Sequence, residues 1–210
     1  MSYTLFGFEN SGSLAAEIAL DFCGVDYKFI RAASWEEGAG LDELSKVNPL
    51  KQIPTLLMPD GNVMTESAAI LIYLGLQFPS SQLFPNDENK RSQIIRGLVF
   101  IAANCYSAIS VIDYPMRWCI NADDDSNERI RAGSRQRLHI HWEIFADQFP
   151  ATPFLSGEQL GALDILAVIV SKWSGARKHL QQARPEFFAT LERIEKHPVI
   201  AAAFERRWKI

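Results

Sequence analysis

The stretch NPLKQIPTLL, residues 48–57, and the stretch TES, residues 65–67, carry the strongest structural signal in this chain. Ile53-Pro54 places an apolar residue before a proline at the start of a strand-like run, where a cis peptide bond forms tight turns. Such a turn presents the backbone N–H and C=O of Ile53 to another backbone. Glu66-Ser67 opens an apolar run that predicts a helix, and a hydroxyl beside free N–H groups at a helix N-terminus is an anion site. Together the two stretches predict a site for a small acidic peptide.

The residues around these stretches have the pattern of an α/β unit. Residues 3–8 and 27–31 have strand composition, and the segment between them repeats apolar residues at helical spacing up to Gly24. A strand, a helix and a strand in about 30 residues form a βαβ unit. Pro59-Asp60-Gly61 predicts a hairpin, and a helix is expected over residues 41–47.

The second half is predicted to be helical. Residues 78–89 are rich in Pro, Ser, Asn and Asp and form a linker. The predicted helices span residues 90–119 with a bend near Pro115, then 128–149, 160–169, 185–196 and 198–208. The basic residues Arg206, Arg207 and Lys209 are interpreted as a solvated tail.

The pattern N-P-x-x-x-I-P-T-L, a hairpin and T-E-S-x-A-I-x-x-Y-L closely resembles the glutathione-binding half of cytosolic glutathione transferases. The resemblance is specific over residues 3–75 and weaker afterwards; at position 161, for example, this chain has Gly where the family pattern has Ser or Thr. It implies a thioredoxin-like α/β domain at residues 1–78, a linker at 79–88 and an all-α helical bundle at 89–210. It also implies a homodimer, a cleft between the domains and a role in detoxification.

The resemblance assigns residues of this chain to glutathione. It carries Gln52, Ile53 and the neighbouring Pro54 to the peptide backbone, Glu66 to the γ-glutamyl ammonium and Ser67 to the γ-glutamyl carboxylate. Lys51 stands where many members have Gly, and either meets the glycyl carboxylate or is solvated.

The residue that meets the glutathione sulfur stays open among the loop residues before the first helix. A thiol with a pKa near ~8.5 becomes a thiolate more easily beside a hydrogen-bond donor and a helix N-terminus. Cys-type members of the family have their Cys at Gly12, and Tyr-type members have a tyrosine where this chain has Phe6 or Phe8. Ser-type members resemble this chain with their hydroxyl near Ser11 when the strands are aligned, or on Asn10 when the helices are aligned. The resemblance therefore implies Ser11, with Asn10 and Ser13 as reserves, and the alternative is that all three are turn and capping residues.

The pocket for the second substrate is predicted on the long helix. Tyr106, Ser110 and Tyr114 have spacings that could share one helix face, although ordinary packing explains them equally well. The predicted reaction is attack of the glutathione thiolate on a small apolar electrophile. The alternatives are glutathione-dependent disulfide or peroxide reduction, isomerisation as a less favoured option, and a non-catalytic protein that kept the fold.

Composition excludes several other classes. The 210 residues have a net charge of −4 and no long basic run, which argues against nucleic-acid binding. Neither a signal peptide nor an uninterrupted apolar stretch of membrane-spanning length is visible, so a cytoplasmic protein without a membrane partner is expected. The three cysteines, an odd number without metal-ligand spacing, predict free thiols, and His139 and His141 point to different helix faces. No metal is expected.

Overall fold

The computed structural model describes residues 2–208, and its first part is a sheet with helices on both faces. The elements are β1 (Tyr3–Gly7), α1 (Ser13–Cys23), β2 (Tyr27–Arg31), α2 (Ala39–Val47), β3 (Thr55–Leu57), β4 (Val63–Thr65) and α3 (Ser67–Gln77). Within the described residues the sheet has four strands in the order β2-β1-β3-β4, with β1 parallel to β2 and antiparallel to β3. This is the predicted thioredoxin-like plan.

Helix α1 is the most enclosed element of this part. Every residue from Ser13 to Leu20 is buried, because the helix lies between the sheet and the helical region. Its end is set by Gly24, whose left-handed φ of 63° lets the backbone N–H bond the Asp21 carbonyl at 3.1 Å. The loop before α1 therefore continues directly into a helix whose first eight residues are buried in the core.

The rest of the described chain is helical. A 3₁₀ turn at Pro79–Ser81 leads to α4 (Glu88–Phe100), a π-helical segment (Ile101–Tyr106), α5 (Ser107–Asp113) and a 3₁₀ turn at Pro115–Arg117, and then to α6 (Asp124–Gln148), α7 (Ala162–Val170), α8 (Ala176–Ala183), α9 (Pro185–Glu195) and α10 (Pro198–Arg207). The predicted bend at Pro115 is wrong, since the helix ends at Asp113. A proline cannot continue the hydrogen-bond ladder. Helix α8 was not predicted.

The rod from Glu88 to Asp113 is long and apolar enough to span a membrane by length and composition. Its buried side chains, Ile94, Leu98, Ile101 and Ile109, belong instead to the main hydrophobic core. A core role therefore accounts for its apolar face.

Helix α7 forms the centre of the helical region, with all nine residues buried. The Asp164 carboxylate accepts hydrogen bonds from the backbone N–H groups of Leu155 (2.7 Å), Ser156 (3.0 Å) and Gly161 (3.0 Å). A Cβ on Gly161 would lie 2.8 Å from both the Leu83 carbonyl oxygen and the Ser156 side chain. Glycine stands at this position because Ser156 fills the space that a side chain would need.

The basic C-terminal cluster is not a solvated tail. Arg206 Nε donates to Glu17 Oε1 at 2.6 Å, and Arg207 Nε donates to Glu17 Oε2 at 2.9 Å. The Glu17 side chain is 1 % exposed, against 43 % and 25 % for Arg206 and Arg207. A buried carboxylate needs charged partners, and α10 supplies them to α1. Lys209 lies outside the described residues.

Candidate functional site

A cleft of about 540 Å³ lies between the sheet and the helical region. Its walls contain all but one of the predicted site residues: Asn10, Ser11, Lys51, Gln52, Ile53, Pro54, Glu66, Ser67, Tyr106, Ser110 and Tyr114. The exception is Ser13, which is buried behind the loop and does not line the cleft. Two of the predicted groups, the peptide-binding stretch and the helical tyrosines, therefore face each other across one space.

The turn before β3 presents backbone groups to the cleft. The Ile53-Pro54 peptide bond is cis, as the sequence predicted. The Asn48 side chain holds the turn, since its Nδ2 donates to the Gln52 carbonyl (3.1 Å) and to Thr55 Oγ1 (2.9 Å). Among residues 2–208 the backbone N–H and C=O of Ile53 have no hydrogen-bond partner. This residue can therefore pair with the backbone of a bound peptide.

The N-terminus of α3 forms a second wall. Glu66 is exposed and has a left-handed φ of 64°, a backbone conformation that costs a non-glycine residue about 1–3 kcal/mol. Ser67 follows as the first helical residue and is buried. The arrangement places one carboxylate and the free N–H groups of a helix end side by side, which suits a ligand that carries both an ammonium and a carboxylate.

The loop before α1 contains a closed network of hydroxyls. Ser11 Oγ donates to the Phe8 carbonyl at 2.7 Å and accepts from the Ser13 N–H at 3.2 Å. Ser13 Oγ lies 2.8 Å from Ser11 Oγ and accepts from the Phe8 N–H at 3.1 Å. Asn10 is exposed with a φ of 54°, and its N–H donates to the Arg207 carbonyl at 3.1 Å. The Ser11 and Ser13 hydroxyls thus hold the turn, in agreement with the capping alternative that the sequence left open.

Tyr106 reaches from the helical region to this same loop. A Cβ on Gly12 would lie only 1.8 Å from the Tyr106 hydroxyl oxygen and 3.6 Å from Ser67 Oγ. The Ser67 side chain therefore lies close to the Tyr106 hydroxyl, and burial raises the pKa of the Tyr106 phenol. Its ring packs on Trp173, with the ring centroids 5.8 Å apart. Gly12 is therefore required by the close approach of a phenol, which sequence spacing alone did not reveal.

Exposed residues line one end of the cleft. Ser110 is exposed, and the Arg117 guanidinium lies 4.0 Å from the centroid of the Tyr114 ring. Asp113 lies beside them, and burial raises the pKa of its carboxyl. Trp35 lines the opposite side and is 57 % exposed. Aromatic rings around an open mouth suit an apolar molecule, and neither Trp35 nor Asp113 was predicted.

The cysteine thiols of the described chain lie outside the cleft. Cys23, Cys105 and Cys119 are free, and none lines the cleft. Burial raises the pKa of the Cys105 and Cys23 thiols. Within residues 2–208 no group of three or more His, Cys, Asp or Glu could hold a metal ion. Any thiol chemistry in this cleft must therefore use a thiol that the ligand brings.

Comparison with known proteins agrees with this geometry. The family model for the glutathione S-transferase N-terminal domain matches residues 13–77. An uncharacterized GST-like protein of Escherichia coli strain K12, YncG, is 28 % identical over 203 residues, covering 96 % of this chain and 97 % of that protein. Glutathione S-transferase GstA of Escherichia coli O157:H7 is 26 % identical over 204 residues, covering 95 % of this chain and 96 % of that protein.

The fold is shared with solved structures as well. A glutathione transferase homologue from Sulfitobacter, crystallised with bound glutathione, superposes with a TM-score of 0.84 at 20 % identity and covers 98 % of both chains. At that identity the likeness concerns the fold. The matched N-terminal domain and the two relatives, similar over nearly their whole length, support a place for this chain in the cytosolic glutathione transferase superfamily, and the shared fold agrees with it.

Proposed function

We propose that this protein is a glutathione transferase that activates the glutathione thiol for attack on a small apolar electrophile. One observation carries the proposal: the unpaired Ile53 backbone and the N-termini of α1 and α3 converge on one cleft. In a peptide with a terminal amino-acid group and a central thiol, the backbone suits Ile53, the terminal group suits the N-terminus of α3, and the thiol suits the N-terminus of α1. We place the domain boundary at residues 79–88 and expect a cytoplasmic homodimer.

The proposed glutathione site has three parts, one for each end of the peptide and one for its middle. Glu66 faces the ammonium of the γ-glutamyl group, and Ser67 with the N-terminus of α3 faces its carboxylate. Ile53 pairs with the peptide backbone of the central cysteine. Lys51, exposed at the edge of the cleft, faces the glycyl carboxylate.

This placement directs the thiol toward the loop that contains Gly12. The Gly12 N–H has no partner within residues 2–208, and it lies at the N-terminus of the eleven-residue helix α1. A free amide and a helix dipole favour the thiolate over the thiol. The thiol proton leaves to water, the sulfur forms a bond to the electrophilic carbon, and in a substitution the leaving group departs with the bonding electrons.

Calorimetric titration tests the proposal. The purified protein is titrated with reduced glutathione, oxidised glutathione and S-hexylglutathione, and then assayed with a chlorodinitrobenzene as electrophile. Binding of the reduced or S-alkylated form, with turnover, supports the transferase. Preference for oxidised glutathione would indicate disulfide reduction instead, and binding without turnover on a panel of electrophiles would indicate a non-catalytic protein.

A further inference from the structure

One hydroxyl beside the α1 N-terminus comes from the helical region. Tyr106 lies at the end of the π-helical segment Ile101–Tyr106, just before α5 begins. Its oxygen lies where the first side-chain atom of residue 12 would be, 1.8 Å from the ideal Cβ position. A side chain at position 12 would otherwise reach into the cleft from the loop, so Tyr106 occupies the corresponding space.

The hydroxyls of the loop have already donated their hydrogens within the turn. A serine has one O–H hydrogen. Ser11 directs its hydroxyl to the Phe8 carbonyl at 2.7 Å, within a pair of serines that also satisfies the Phe8 N–H. Turning the Ser11 hydrogen toward a ligand would break the shorter of the two hydroxyl bonds to the Phe8 carbonyl and leave that oxygen only Ser13 Oγ, at 3.2 Å, among these two hydroxyls.

The Tyr106 hydroxyl has a polar neighbour that the ligand would engage. The Tyr106 oxygen and Ser67 Oγ lie 1.8 and 3.6 Å from the same ideal Cβ position of Gly12, and each of these hydroxyls can donate one hydrogen. When Ser67 turns its hydrogen to the γ-glutamyl carboxylate, Tyr106 keeps its own hydrogen for another acceptor. Binding of the acidic end of the peptide therefore frees the phenol beside Gly12.

We infer that Tyr106 donates a hydrogen bond to the glutathione sulfur and so stabilises the thiolate; this assignment rests on the proposed function. Tyr106 is not the base. Burial raises the pKa of its phenol, so it remains an O–H donor at neutral pH while the thiol proton leaves to water. Tyr106 is the last residue of the π-helical segment. The wider turn of this segment gives Tyr106 a different direction from the one it would have in a regular helix.

The test compares three variants with the wild type: Tyr106→Phe, Ser11→Ala and Tyr27→Phe. Tyr27→Phe is the matched control, because it also removes one phenol oxygen but lies on β2 outside the cleft. The pKa of bound glutathione is measured from thiolate absorbance as a function of pH. Circular dichroism and thermal unfolding establish that each variant is folded.

We expect Tyr106→Phe to raise the pKa of the bound thiol by about 1–2 units, the shift expected from losing a hydrogen bond to a charged acceptor. The rate at neutral pH should fall about 10- to 100-fold, while the affinity for S-hexylglutathione changes less than about threefold. Tyr27→Phe should leave all three quantities at the wild-type values.

Two results would overturn the inference. One is an unchanged thiol pKa in Tyr106→Phe, which would leave the sulfur to the backbone amide of Gly12. The other is a raised thiol pKa in Ser11→Ala alone, which would assign the sulfur to Ser11. Failure of the wild type to bind any form of glutathione is seen before a variant is made, and it would reject the proposed function together with this assignment.

Discussion

The contact between Gly12 and Tyr106 predicts that Gly12→Ala is strongly destabilising. The added Cβ would lie 1.8 Å from the Tyr106 oxygen, about 1.5 Å closer than the shortest ordinary carbon–oxygen contact of about 3.3 Å. The phenol must move away from Gly12. Overpacking of this kind costs about 1–3 kcal/mol, and because the overlap is large we expect a loss of about 2–3 kcal/mol in unfolding free energy.

The backbone itself gives no reason for this loss. Gly12 has a φ of −65° and a ψ of −11°, which any residue adopts, and Gly→Ala at such a position normally stabilises by about 0.4–1 kcal/mol. Gly133→Ala is the matched control, because Gly133 is exposed inside α6 and a Cβ there meets nothing within 4 Å. We expect Gly133→Ala to stabilise the protein by about 0.5–1 kcal/mol.

Removing the phenol oxygen should relieve most of the clash. In the Tyr106→Phe background the nearest ring atom to the new Cβ is Cζ at 3.1 Å, a tight contact that small ring movements can relax. The penalty of Gly12→Ala should fall there to at most about 1 kcal/mol, which gives a coupling energy of at least about 1 kcal/mol. Urea unfolding, followed by both tryptophan fluorescence and circular dichroism, measures all four members of the cycle. The contact would be refuted if Gly12→Ala lowered the unfolding free energy of the wild type by less than about 0.5 kcal/mol. It would also be refuted if Gly12→Ala lowered it equally in the wild type and in Tyr106→Phe.

Three further substitutions test other parts of the structure. Glu17→Gln keeps the shape of a buried side chain but removes the charge that holds Arg206 and Arg207, and should lower the unfolding free energy by about 1–3 kcal/mol in a urea titration. Asp164→Ala leaves three backbone N–H groups without their acceptor, and thermal unfolding should show a loss of about 3–5 kcal/mol. Glu66→Ala should weaken glutathione binding about 10-fold in calorimetry, with little change in the unfolding temperature of the free protein, since the carboxylate is exposed.

Exposed carboxylates give the controls for these variants. Glu43→Gln on α2 should change stability by less than about 0.5 kcal/mol, and Glu43→Ala should not change glutathione affinity. Asp147→Ala breaks a surface pair with Arg184 and should cost no more than about 1 kcal/mol. If Glu17→Gln or Asp164→Ala behaved like these controls, the described roles of the two buried carboxylates would be wrong. Unaltered glutathione affinity in Glu66→Ala would count against the assigned ligand orientation.

Local chemistry made the first part of the fold predictable. The proline at position 54, the turn at residues 59–61 and Gly24 at the end of α1 each act on their immediate neighbours, so their effects can be derived from a few adjacent residues. The same holds for the helix start at Glu66, which lines the same cleft as the turn at Ile53-Pro54.

Features that depend on distant residues could not be predicted. Helix α8 has a narrow buried face, essentially Ala176 and Leu180, and its pattern is too polar to separate it from a loop. The pairing of Arg206 and Arg207 with Glu17 joins residues at opposite ends of the chain. The position of Tyr106 depends on a π-helical segment, which changes the direction of a helix without changing its apolar spacing. Each of these is a tertiary fact that local patterns do not contain.

The bond between the Asn10 N–H and the Arg207 carbonyl, at 3.1 Å, has a consequence for biosynthesis. A ribosome makes the loop before α1 long before it makes α10, so the loop lacks this contact until Arg207 has been synthesised. A chain whose synthesis stops before Arg207 therefore lacks one hydrogen-bond partner of the loop before α1, whereas the turn at Ile53-Pro54 is held by Asn48 and needs no later residue for these bonds.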